Sequence, residues 1–146
     1  MKTFATLALA LLLPPIFCAA IAFPRAGGVQ EGNPAVREVF DDVQRGISQC
    51  NVAMFSPHLY SQVRVTLHGG ETGLYSANQA YYLIQNFLRD RKPVSFSFST
   101  YGESDGIPYG TGNASFTYQG VRRHAQIYVA LAPAGRTWVI THINIY

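Results

Sequence analysis

Hydrophobic positions change period along the chain, and each change marks an element. Val36, Val39, Phe40, Val43 and Ile47 recur at helical spacing, with Arg37, Glu38, Asp41, Asp42 and Arg45 on the opposite side. Asn33 supplies an N-cap and Pro34 suits a first helical turn, so the spacing predicts a surface helix opening there. Asn51 predicts a cap for a short helical piece from Val52 to Phe55, stopped by Ser56-Pro57. Val63, Val65 and Leu67 then alternate with Arg64, Thr66 and His68, which predicts a half-buried strand ending at Gly69-Gly70. After a short Leu74-Tyr75 segment, Ser76 and Gln79 form a capping-box pattern that opens a second helix. Ala80, Leu83, Ile84, Phe87 and Leu88 make its apolar face, and Pro93 stops it.

From Val94 onward the pattern is strand and turn. Phe96 and Phe98 alternate with serines, and Asp105-Gly106 predicts a tight hairpin. Gly110, Gly112, Ala114 and Phe116 form one row, opposite Tyr109, Thr111, Asn113 and Ser115. Glycines inside so long a strand predict a bend or bulge that curves the sheet. Gln119-Gly120 marks the next turn, and Ala125, Ile127, Val129 and Leu131 form the next inward row. Residues Pro133 to Arg136 predict a last hairpin before a strand over 137–145. Both parities of that strand carry bulk: Trp138 and Ile140 on one, Val139, Ile143 and Ile145 on the other. Alternation alone leaves open which row is buried.

Composition narrows the class. Of 146 residues, 48% are hydrophobic and only 13% charged, which excludes a disordered tail, a coiled coil and a collagenous repeat. A net charge of +3 without a basic stripe argues against a nucleic-acid partner. The densest basic cluster is Arg89, Arg91 and Lys92, read as cations attracted to the C-terminal end of the second helix in preference to a binding patch.

The first residues read as an address. Lys2 precedes an apolar run from Phe4 to Leu13, Pro14-Pro15 breaks it, and Ala20-Ile21-Ala22 matches a signal-peptidase site. The expected organisation is a signal peptide over 1–22, a flexible lead-in over 23–32 and one domain over 33–146. Cleavage near Ala22 predicts a periplasmic or secreted protein with no membrane contact afterwards. Cys18 leaves with the signal, so Cys50 has no disulfide partner and is expected as a small hydrophobe on the face of the first helix.

The element order, helix, short helix, two strands, helix and four strands, predicts an α+β domain with helices packed on one side of a bent antiparallel sheet. In this order the chain resembles the nuclear transport factor 2-like superfamily, whose sheet wraps helices into a cone. More narrowly, it resembles small exported bacterial proteins grouped as domain-of-unknown-function family 4783. The residues that carry the likeness are Asn51–Phe55, Val63–Leu67, Tyr75-Ser76 and Trp138-Val139-Ile140-Thr141. The resemblance implies the cone fold and brings no reaction with it.

Enzymes of this superfamily, such as ketosteroid isomerase and scytalone dehydratase, need an acid or base aimed into the cone. Here the carboxylates of Glu31, Glu38, Asp41, Asp42, Glu71, Asp90, Glu103 and Asp105 all project onto exposed helix faces, loops or hairpin ends. If the chain is an enzyme, an isomerase or dehydratase must improvise its acid and base from His68 or His142 with Tyr109 or Tyr128. No His pair has metal-ligand spacing, and no glycine-rich strand-to-helix loop exists for phosphate, so neither metal nor cofactor is expected. The reading favoured by the sequence is an exported, non-enzymatic binding or interaction module of the cell envelope, with a small apolar ligand inside the cone. A third reading is a structural homodimer packed through the outer sheet face. Arg122, His124, Gln126 and Tyr128 would line that face, joined by whichever apolar row of the last strand the core leaves out.

Overall fold

Asn33 Oδ1 accepts the Ala35 amide at 3.0 Å and opens helix α1, Pro34–Ser48, as its N-cap. The computed structural model describes residues 32–146. The expected signal peptide and all but the last residue of the lead-in lie outside the described residues. Val39, Phe40, Val43 and Ile47 are buried along the α1 stripe. Asp42, on the polar side, bonds Arg45 within the helix and His58 Nε2 at 2.9 Å, tying α1 to the segment ahead of the first strand. Partial burial pushes the Asp42 carboxyl up, but the hydrogen bonds and charges of His58 and Arg45 outweigh it and hold the group below its usual range.

α1 ends at Ser48, two residues short of Cys50, the residue expected on its face. Cys50 has φ 55°, in the left-handed region, so it lies beyond the helix rather than on its face. It still packs against the core, as a small hydrophobe does. The reversal depends on Gly46, where a Cβ would stand 2.5 Å from the Phe55 ring and 2.8 Å from the Asn51 carbonyl oxygen. The expected short helix is two 3-10 turns, Val52–Met54 and Ser56–His58, and Asn51 caps the first.

Strands β1, Leu59–Leu67, and β2, Thr72–Ser76, form a hairpin that leads into α2, Ala77–Arg91. Ser76 and Gln79 close the capping box, and Lys92 ends the helix in the left-handed conformation. Strands β3, Pro93–Ser104, β4, Ile107–Tyr118, β5, Val121–Ala134, and β6, Thr137–Ile145, follow as a meander. Asp105-Gly106 and Gln119-Gly120 both have positive φ at each residue, the conformation two-residue hairpins favour.

The six strands make one sheet in the order β2-β1-β6-β5-β4-β3. The expected α+β architecture holds with one difference in pairing: β1 and β6 run parallel, so the sheet is mixed rather than wholly antiparallel. A parallel pair needs a long crossover, and α2 with the β3–β5 meander provides it. α1 packs on β3 and β6 and α2 on β1 and β4, so both helices cover the same face. Between them lie Val43, Ile47, Val65, Ile84, Leu88, Ile127 and Leu131, all buried. Among the described residues the core contains no buried polar or charged side chain.

Register shifts interrupt several strand pairs, and two of them shape the sheet near the core. In β3, Ser99 is the extra residue between the Phe98–Gly112 and Thr100–Thr111 pairs. There the backbones come so close that a Cβ on Gly112 would stand 2.1 Å from the Ser97 carbonyl oxygen. In β6, Thr141 is the extra residue, because Ile140 pairs with Leu131 and His142 with Ala130. This bulge answers the question of the two apolar rows: neither is left out. Ile140 is buried from one parity and Ile143 and Ile145 from the other, since one inserted residue reverses the alternation. Trp138 packs against the core beside Ile140. The outer face therefore receives Val139, His142 and Asn144, and the apolar row expected there for a homodimer is absent.

Candidate functional site

β5 is longer than β6. Pairing between them stops at Ile127–Ile145, with Tyr146 and Gln126 exchanging one further pair of backbone bonds. Val121 to Ala125 run on, paired only to β4 on their other side. The notch this leaves, under the C-terminal end of α2, holds a pocket of about 590 Å³. Phe87 and Arg91 of α2, Phe116 and Tyr118 of β4, and Arg123 and Ala125 of β5 line it, with Ile145 at its base and His68 and His124 at its rim. The volume lies in the usual range of small-molecule sites.

Arg91 is the best-positioned group in the pocket. Its guanidinium carbon lies 4.2 Å from the Phe87 ring centre and 4.8 Å from the Tyr118 ring centre. A guanidinium over aromatic rings gains from the ring quadrupoles and loses side-chain freedom before any ligand arrives. Its Nη2 donates to the His68 carbonyl oxygen at 3.0 Å, which fixes the fork against the turn after β1. Gly69, at φ 68°, forms that turn, and even a Cβ there would come to 3.3 Å from Nη2. At the rim, His124 Nδ1 and the Ser115 hydroxyl bond across the β4–β5 pair at 3.1 Å. The pocket is thus apolar at its base and cationic at its wall. No carboxylate side chain lines it, and among the described residues neither Arg91 nor Arg123 has an acidic partner.

The residues proposed from sequence for an enzyme divide between two places. His68 stands at the pocket rim, whereas Tyr109, Tyr128 and His142 lie on the outer face, away from the helices. Tyr109 and Tyr128 stack at 5.8 Å between ring centres, and the Tyr109 ring lies over Gly102, where a Cβ would come to 2.6 Å. His142 is diagonal to Tyr128 across the β5–β6 pair. Burial first, then the Arg64 charge, keeps His142 below its usual pKa. Burial first, then Tyr109 and Tyr146, keeps the Tyr128 phenol above its usual value. Both shifts favour the neutral form of the group. The rows around them, Arg64 and Thr66, Asn144, Gln126, Thr111 and Asn113, contain no carboxylate.

From sequence, Arg91 stands out only as part of the helix-end basic cluster and Arg123 not at all, although periodicity places both. Arg91 follows Phe87 by one helical turn on the apolar stripe. Arg123 shares the inward parity of Ala125, Ile127 and Val129. Among the described residues no group of three potential ligands could hold a metal, and no helix is long and apolar enough to cross a membrane.

Comparison with known proteins gives the fold a family. Among curated proteins nothing matches the chain. A DUF4783 family protein from Bacteroides uniformis superposes with a TM-score of 0.64 at 15% identity, covering 72% of this chain and 93% of that one. Another, from Bacteroides ovatus, gives 0.62 at 17% identity, covering 71% and 90%. An NTF2-like protein from Burkholderia thailandensis gives 0.56 at 16% identity, covering 75% and 87%. At these identities the solved structures establish the nuclear transport factor 2-like fold alone. The family model of DUF4783, a domain of unknown function, matches residues 40–146, and the chain therefore belongs to that family.

Proposed function

We propose that this protein is an exported, non-enzymatic binding module whose ligand occupies the notch pocket at the end of β6. One observation carries the reading: a pocket of about 590 Å³ joins an apolar base to an arginine already held over two rings. The absence of any polar side chain from the described core supports binding over catalysis, because chemistry in the cone would need an acid or base there. The signal-like segment ending at Ala22 supports export.

Native mass spectrometry of the protein expressed with its full N-terminus tests both halves of the reading. The expected polypeptide begins at Phe23, is recovered outside the cytoplasm, and carries a non-covalent mass excess that disappears on denaturation. A chain that retains Met1 in the cytosol would overturn the export half. A bare polypeptide mass that no added small molecule increases would overturn the binding half.

A further inference from the structure

We infer that the notch pocket selects an amphiphilic organic anion: a carboxylate or phosphate head on an apolar body. The inference rests on the binding reading above and names the ligand's chemistry. Charge comes first. Arg91 and Arg123 line the pocket beside Tyr146, no carboxylate side chain does, and among the described residues neither arginine forms a salt bridge. A neutral ligand would leave the half-buried Arg91 without a counter-charge, whereas an oxyanion would pair with it and with Arg123 beside it.

Geometry gives the head its shape. An arginine offers five N–H donors in a planar fork. Among the described residues Arg91 spends one, on the His68 carbonyl, and its position over Phe87 and Tyr118 keeps the remainder in place. Such a fork matches two oxygens of one carboxylate or phosphate. Size and lining give the body. About 590 Å³ far exceeds a bare oxyanion, and Phe87, Phe116, Ala125 and Ile145 supply an apolar wall beside the fork. A ligand with only a head would leave most of that volume unfilled, and one with only a tail would leave the arginines unpaired.

Calorimetric titration of the full exported chain, stripped of bound molecules, with four probes decides this. Decanoate and decyl phosphate carry the two heads, decan-1-ol carries the tail alone, and acetate carries a head alone. At least one decyl anion is expected to bind ten or more times more tightly than decanol, and the stronger of the two identifies the head. Acetate is expected to show no heat at millimolar concentration. Arg123→Gln and Arg91→Lys are each expected to weaken the preferred anion about tenfold, the loss of one charge-assisted bond. Arg122→Gln, on the outer row, is expected to leave it unchanged. Arg123 is exposed, so its variant tests the idea even if Arg91→Lys perturbs folding. Decanol binding as tightly as the decyl anions would overturn the anion inference and leave the pocket reading standing. Equal affinity in the Arg123→Gln and Arg122→Gln variants would also overturn it. No heat from any probe would overturn both readings.

Discussion

Gly112→Ala is expected to lower stability by about 3 kcal/mol, the upper end of the usual cost of overpacking. A methyl there would stand 2.1 Å from the Ser97 carbonyl oxygen and 2.8 Å from Phe98 Cα. Both are backbone atoms, so no rotamer change relieves the clash. β3 must move off β4 at the Ser99 bulge, where the sheet bends around the helices. Gly110 offers a contrast within the same row. Its added Cβ would meet the Phe98 ring at 2.9 Å and the Phe40 ring at 3.1 Å, and rings can rotate aside. Gly110→Ala is therefore expected to cost less. Urea unfolding of the two variants checks this order; a Gly112→Ala midpoint equal to that of the unaltered protein would show that β3 and β4 do not approach so closely.

Ile140→Ala and Ile143→Ala are each expected to destabilise the domain by about 3 kcal/mol, the common cost of emptying a buried isoleucine site. They stand three positions apart, so in a regular strand they would face opposite sides and one would be cheap to truncate. The Thr141 bulge places both inside. Val139→Ala, on the outer row and only half-buried, is expected to cost under about 1 kcal/mol. Large losses at Val139 and Ile143 with little at Ile140 would contradict the bulge.

These two sites also mark what the amino-acid pattern reveals. Helix caps at Asn33, Asn51 and Ser76, the hairpins at Gly106 and Gly120 and the inward row of β4 are all legible, because each rests on local chemistry. The glycines of β4 signal curvature in the sequence itself. The β6 bulge leaves only an ambiguity, two apolar rows in one strand, because an inserted residue changes parity without a sequence marker of its own. The parallel β1–β6 pairing is less visible still, since it joins strands separated by most of the domain and no turn encodes it.

The pocket was only half legible for a different reason. A charge at a helix C-terminus has a sufficient explanation in the macrodipole, and Arg91 meets that description. Its position on the stripe of Phe87 and Leu88 shows which side it faces, but only the fold brings Tyr118 and the end of β6 to meet it. Tyr109, Tyr128 and His142 illustrate the converse. Their residue types suit acid–base work, yet strand parity puts them on the outer face.

The central claim, that the notch is where this family member meets its ligand, is tested most directly by two-dimensional NMR during titration with the preferred decyl anion. Backbone amides of Phe87, Arg91, Phe116, Tyr118 and Arg123 and the side-chain Nε–H of Arg91 are expected to shift together and saturate with one affinity. Shifts confined to Tyr109, Tyr128 and His142, with the Arg91 signals unmoved, would place the binding surface on the outer face and contradict the account.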